Sequence, residues 1–408
     1  MAADSEGGGQ RRALARRGSA PANGHAAEHV LDRLSGRDAD RAASPADPAD
    51  HACAQTTATT TTADTAPRPR DDKAAAALRR AGQRAERITA GLDDLELWLG
   101  DQIRTGLTTL KRAGYREIDE QARRLVDAQA PGVAGMVRDL AGVLAEEDWA
   151  DRTLTEFALL HLLVRGWRHR DGLPAPLAAT VRRRIGLSST AADNARVGEH
   201  VADDWLVLGS RDSLLDKLVE RRTWLQGRSG GRIAMLLSFA PPGQSPGPDL
   251  QVGGRFSLEL VFVPEAAPLR AMPARPDAIP PQLPPDLAFP NQPAPAPWFH
   301  GPNSPGTTLD DLAERYAATL AADPWTTGVP GVVGRAELGF DPAQDAWWVL
   351  DQATSSMVAL TVPGEKADRF RYQLLAACSG RPVALFGEYR PSGFTPITVF
   401  GDGRAVSV

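Results

Sequence analysis

ITAGLDDLELWLGDQIRTGLTTL, residues 88–110, decides how the first half of this chain folds. Ile88, Leu92, Leu95, Leu99, Ile103, Leu107 and Leu110 recur at steps of three and four. That spacing predicts one apolar stripe on an α-helix running to Gly114, with Asp93, Asp94, Glu96 and Arg104 facing water. A second helix is expected over about 116–130, with Ile118, Ala122, Leu125 and Val126 inward, and Pro131-Gly132 ends it. Val133, Met136, Val137, Leu140 and Leu144 mark a third. Asp151 suits the N-cap of a fourth that buries Leu154, Phe157, Ala158 and Val164. Pro174 and Pro176 open a fifth, with Leu177, Val181 and Ile185. Five such elements on short connections imply an antiparallel helical bundle.

From Trp205 the period falls from about 3.6 to two. WLVLG, RTWLQ, RIAMLLSFA and RFSLELVFV read as strands, and GRSGG at 227–231 joins two of them as a hairpin turn. Phe256, Leu258, Leu260 and Phe262 share one face of the last. Twelve prolines then fall between 273 and 305, a semi-rigid spacer without a core of its own. Its PxxP steps, such as Pro281 to Pro284, have the spacing that SH3-like partners take, but a plain spacer is the simpler reading. TLDDLAERYAATLAADPW follows as a helix capped near Thr307-Thr308. AWWVL, PVALFGEY and PITVF are strands. Ahead of all this, residues 1–70 are low-complexity and too poor in large apolar side chains to repay ordering. The expected class is α+β: a leader at 1–70, a helical bundle at 71–200, and a mainly antiparallel β region at 201–272. A proline-rich spacer at 273–306 and a smaller α+β C-terminal domain at 307–408 complete it.

Composition narrows the function. With 46 basic and 51 acidic residues the net charge is −5, so no global attraction to nucleic acid or anionic lipid exists. Only four of the basic residues are lysines (Lys73, Lys111, Lys217, Lys366), a bias of GC-rich coding rather than a binding signal. No signal-like apolar segment opens the chain, and its longest greasy run, FALLHLLV at 157–164, is far short of the ~20 residues a membrane span needs. A cytoplasmic protein is the expectation.

The chemical motifs mostly fail on their own terms. GQSPG at 243–247 matches G-x-S-x-G, but Pro246 has no N–H to donate to an oxyanion, so Ser245 is a turn residue. HAAEH at 25–29 matches H-x-x-E-H, yet His25, Glu28 and His29 lie in the leader, without a third ligand or a cleft. Cys53 and Cys378 cannot build a four-cysteine zinc site or a disulfide framework. His161 among leucines reads as a boundary residue. Asp93-Asp94 and Glu146-Glu147 are adjacent and diverge around a helix, so neither makes an acid/base pair. No phosphate loop and no C-x-x-C occurs. The reading is non-enzymatic: catalytic residues none, cofactor-binding residues none, metal ligands none. One candidate patch for an anion or a partner remains, Arg165, Arg168, Arg170, Arg182, Arg183 and Arg184, set against a single acid, Asp171. A solvated face is its plain alternative, since residues 71–190 carry 19 basic and 18 acidic side chains.

GLDDLELWL at 91–99, ARRLVDAQAPGVAGMVRDL at 122–140, DDWLVLG at 203–209, RRTWLQGRSGGRIAMLLSFA at 221–240 and SLELVFVPEAAPLRAM at 257–272 resemble the body of bacterial SWIM zinc-finger proteins, as does GRPVALFGEY at 380–389. The resemblance implies a C-x-C…C-x-H finger near the N-terminus of intact members, a zinc site for nucleic acid or protein. It also implies encoding beside MoxR-type AAA+ ATPases and von Willebrand A domain proteins, hence a protein partner of that kind. The finger is absent from this sequence, and GSAPANGHAAEHVLDRL at 18–34 is similar to the linker that follows it. This raises the expectation that the finger was lost, or was cut off by a start-site or frameshift error. Zinc is expected only where the finger is present. The readings carried forward are an interaction or adaptor protein, with a zinc-dependent nucleic-acid binder as the alternative and an enzyme of unknown type behind it.

Overall fold

A computed structural model describes residues 69–215, 218–247, 249–275, 308–362, 367–401 and 404–408. The leader with His25, Glu28, His29, His51 and Cys53, and nearly all of the proline spacer, lie outside the described residues.

The stripe of residues 88–110 folds as expected in most of its length and departs from expectation at one end. Helix α1 spans Pro69–Thr105 and α2 spans Leu107–Ala113, separated by Gly106 at φ 91°. Ile88, Leu92, Leu95, Leu99 and Leu110 are all buried. Ile103, expected on the same stripe, is 54 % exposed. Two successive four-residue steps after Leu95 rotate it about 80° off the face. Gln102, seven residues from Leu95, holds the inward position instead and donates Nε2 to Glu117 Oε1 at 2.6 Å.

Helices α3 (Tyr115–Asp127), α4 (Pro131–Val143), α5 (Trp149–Arg168) and α6 (Ala175–Ile185) complete the bundle, and α7 (Ala191–Val197) leads out of it. In α5 the inward face is Thr153, Phe157, Leu160, Leu163, Val164 and Trp167. Leu154 and Ala158, expected inside, are exposed. The helix starts at Trp149, so Asp151 sits in its first turn rather than capping it. One core joins all the helices from α1 to α6.

Strands β1 (Glu199–Leu215), β2 (Leu218–Gly227), β3 (Ile233–Ala240), β4 (Arg255–Phe262) and β5 (Arg270–Pro273) close into a barrel of order β1-β2-β3-β5-β4. The expected hairpin turn joins β2 to β3, with the Gly231 N–H donating to Gly227 O at 3.0 Å. Trp205, Val207, Leu225, Leu258, Leu260 and Phe262 share the barrel core. One pair, β3 with β5, is parallel; the others are antiparallel.

The C-terminal part begins with α8 (Leu309–Ala322), capped by the Thr308 hydroxyl accepting from the Asp311 N–H. Strands β6 (Val329–Asp341), β7 (Ala346–Asp351) and β8 (Met357–Ala359) follow, then α9 (Ala367–Cys378), β9 (Val383–Arg390), β10 (Gly393–Gly401) and β11 (Arg404–Ser407). They make an antiparallel six-stranded sheet of order β11-β10-β9-β6-β7-β8. Alternation gives the sheet two buried faces. Val333, Leu385 and Val399 pack against Leu312 of α8 and Leu374 of α9. Val332, Phe386 and Ile397 pack against Leu206, Leu208 and Trp224 of the barrel. Gly209 permits that second contact: a Cβ there would lie 2.8 Å from Ile397 Cγ2. The fold is therefore α+β as expected, with a helical N-terminal region, an antiparallel-rich barrel and a smaller α+β C-terminal region.

Candidate functional site

Helix α6 ends in Arg182, Arg183, Arg184 and Ile185, and its end is built to hold them in place. Gly186 turns into the left-handed region at φ 103°, its N–H donating to Arg183 O while Leu187 N–H donates to Arg182 O. This reciprocal pair of bonds satisfies carbonyls that the last turn would leave open. Gly132, at the start of α4, lies so close that a Cβ would fall 2.2 Å from Arg184 O. The close approach locks the end of α6 onto α4.

From that fixed end two guanidiniums reach into the other two modules. Arg183 Nε is 2.5 Å from Glu265 Oε1, on the loop between β4 and β5. Arg184 Nη2 donates to Asp323 Oδ2 at 2.9 Å, just after α8. Thr180 of α6 accepts from the Ala266 N–H at 2.9 Å beside the first pair. Trp325 enters the bundle core, 5 % exposed, and donates Nε1 to Leu159 O at 3.0 Å. Burial pushes the Glu265 carboxyl upward, and Arg183, Arg270 and Arg184 pull it back.

At this junction lies a cavity of about 690 Å³, lined by all three modules. Six arginines line it: Arg183, Arg184, Arg222, Arg232, Arg270 and Arg315. The acids on its walls are Glu220, Glu265 and Asp323. Arg222 Nε pairs with Glu220 at 2.7 Å. Arg232 pairs with Glu199 at 2.8 Å and lies over the Phe262 ring at 3.6 Å. One wall is apolar, formed by Ile233, Met235 and Leu237 along one face of β3.

The six arginines of the sequence patch do not share one surface. Arg183 and Arg184 line the cleft, and the other four are absent from its walls. Arg168 is held by Asp93 and Glu96, each at 2.5 Å. Arg170 covers the Trp167 ring at 4.3 Å and donates to Trp167 O at 2.8 Å. Arg165 and Arg182 are exposed. His161 pairs with Glu96 at 3.1 Å on the bundle surface. Ser245 lies in a loop within 3.4 Å of Arg221 Nη1. Cys378 is buried under the C-terminal sheet, where burial pushes its thiol up to about 11. Among the described residues, no group of three or more His, Cys, Asp and Glu converges as a metal site. No described helix is long and apolar enough to cross a membrane.

Arg222, Arg232, Arg270 and Arg315 escaped the sequence reading because they are scattered singly over 94 residues. Arg222, Arg270 and Arg315 are each one polar position in a strand or an amphipathic helix, Arg232 ends the turn before β3, and only tertiary packing makes them neighbours.

Comparison with known proteins places the helical region. Residues 83–185 match the model of the SWIM-associated four-helix bundle domain, so the resemblance read from the sequence holds over α1 to α6. No curated protein and no solved structure gives a match.

Proposed function

We propose that this chain is a non-enzymatic interaction protein, an adaptor whose three modules act as one body. The observation that carries the reading is the pair of contacts from the end of α6. Arg183 and Arg184 tie the bundle to the barrel through Glu265 and to the C-terminal region through Asp323. Trp325 inserted in the bundle core and the Trp224–Phe386 contact, with ring centroids 5.8 Å apart, serve the same end. Modules joined by buried ionic and apolar contacts present surfaces in fixed relation, which an adaptor needs and a string of loosely linked domains lacks. The SWIM-associated bundle supports the family side of this reading.

Within it, the partner is a MoxR-type AAA+ ATPase or a von Willebrand A domain protein, and the setting is the cytoplasm. Zinc belongs to the finger of intact relatives, and the adaptor contacts proposed for this chain rest on its own side chains. Exposed arginines on the bundle, Arg165 and Arg182, supply the attraction for an acidic partner. Charges at an interface rim act chiefly on association rate and salt dependence.

The test is affinity capture of the full chain from cells, with the two partner classes scored by mass spectrometry. Arg165→Glu with Arg182→Glu should reduce capture, most at low salt, without lowering the melting temperature. Recovery of neither class with the wild-type chain removes this reading. Recovery of salt-sensitive nucleic acid instead favours the nucleic-acid binder.

A further inference from the structure

We propose that the cleft at the three-module junction binds a small organic polyanion carrying at least two negative charges, held by Arg270 and Arg315. The inference is independent of the adaptor reading.

The charge balance of the walls carries it. Four of the six lining arginines have a carboxylate: Arg183 has Glu265, Arg184 has Asp323, Arg222 has Glu220 and Arg232 has Glu199. Those pairs use every acid on the walls. Arg270, on β5, has no carboxylate within 4.0 Å among the described residues, and neither has Arg315, on α8. Arg315 has one weak bond, from Nη1 to Pro330 O at 3.4 Å. Two cations without a directly paired carboxylate therefore line one cavity from two different modules, whose walls carry six arginines against three acids.

Both are partly desolvated. Arg315 is half-buried, and desolvation lowers the pKa of both guanidiniums, though arginine stays charged at any ordinary pH. For Arg270 the nearby Glu265 and Glu220 pull the other way while Arg183 adds to the lowering, and for Arg315 Asp311 opposes it. A partly desolvated cation with no carboxylate in direct contact still has hydrogen-bonding capacity to offer, and an anion supplied from outside would fill it. Arg270 is exposed at the start of its strand. The cleft admits a ligand to it.

Size and lining set the class. A cavity of about 690 Å³ falls in the range of small-molecule sites, which favour module interfaces and combine apolar walls with a few convergent polar groups. Here the apolar face of β3 would meet the body of the ligand and the two forks its charges. Guanidiniums bind phosphate and carboxylate alike in bidentate fashion, so both sources share this chemistry.

Titration calorimetry on the full chain separates them. Pyrophosphate and ADP are the phosphate probes, citrate the carboxylate probe, and sodium chloride at equal ionic strength the control. Saturable binding of a phosphate or a carboxylate probe is expected, and whichever binds identifies the source. Arg270→Gln and Arg315→Gln should each weaken it about tenfold or more. Arg270→Lys, which keeps the charge and loses the fork, should fall between, and Arg196→Gln, at an exposed arginine outside the cleft, should leave binding unchanged. Melting curves establish that each variant is folded. If one glutamine variant fails to fold, the other and the lysine variant decide. Absence of saturable binding by every probe overturns the proposal. So does binding that the folded Arg270 and Arg315 variants retain in full.

Discussion

Arg184 donates from Nη2 to Asp323 Oδ2 at 2.9 Å, across 139 residues of sequence. The other oxygen of the same carboxylate accepts the Trp325 N–H at 3.1 Å. One side chain, only 6 % exposed, thus both receives the bundle and shapes the turn that sends Trp325 into it. Removing its cation leaves a nearly dry carboxylate without a counter-charge. Arg184→Ala should lower the unfolding free energy by about 1–3 kcal/mol, the cost of orphaning a buried polar group. Arg184→Ala combined with Asp323→Asn should cost less than the sum of the two. Urea denaturation of the four proteins checks both, and strict additivity would show that the pair does not couple.

The first helix offers a paired test of its face. Leu99 is 4 % exposed and Ile103 54 %. Leu99→Asp buries an unpaired carboxylate and should cost about 2–5 kcal/mol, whereas Ile103→Asp should stay within about 0.5 kcal/mol. Thermal melts followed by circular dichroism would reverse this order if the stripe really continued to Ile103.

Packing at the end of α6 sets a third expectation. With Arg184 O only 2.2 Å from the place a Cβ would take, Gly132→Ala must push α4 and α6 apart. Overpacking of this kind costs about 1–3 kcal/mol. Because the same turn carries Arg183 and Arg184, the variant should also change the emission of Trp325. Unchanged stability together with unchanged fluorescence would show that the contact gives way freely.

His200 gives the pH dependence. Its ring nitrogens lie 2.8 Å from Ala195 O and 2.9 Å from Glu259 Oε1, so protonation lets both bonds form at once. The carbonyl of Ala195 and then the Glu259 side chain raise its pKa above the usual 6.5. A raised histidine lends stability that is fully present below the unfolded value and is lost as pH rises through the folded one. Imidazole NMR shifts should give a midpoint above 6.5 that Glu259→Gln lowers, and a wild-type midpoint at or below 6.5 would contradict this arrangement.

Local pattern and long-range assembly divide the legibility of this chain. The bundle was readable because Leu92, Leu95 and Leu99 repeat at helical spacing, and the SWIM-like phrases fall on the same helices. Strand β4 was readable from the alternation of Phe256, Leu258, Leu260 and Phe262. Strand β6 was not, because its start, Val329-Pro330-Gly331, looks like a turn, although it pairs with β9, Val329 opposite Tyr389 and Gly331 opposite Gly387. Helix α9 is hard to read as well, since its inner face, Phe370, Leu374, Ala377 and Cys378, is short and Tyr372 and Leu375 stand exposed beside it. Closure of the barrel depends on β4 returning to β1 across some 50 residues, and no local signal encodes that pairing. The arginine run at 165–184 was visible as charge, but its meaning was not. Asp93 and Glu96 hold Arg168, while Glu265 and Asp323 draw Arg183 and Arg184 inward. The partners that settle each role lie far along the chain.

Trp325 completes the bundle from a position 140 residues beyond the end of α6. During synthesis the helices therefore leave the ribosome with a socket still open. At 5–20 residues per second the indole that fills it arrives roughly 7–30 s later. Through that interval the nascent bundle exposes apolar surface around Leu159 that the finished protein hides. A ribosome stalled anywhere between Gly186 and Asp323 would hold the chain in that unsealed state, a natural substrate for a chaperone that recognises exposed apolar grooves.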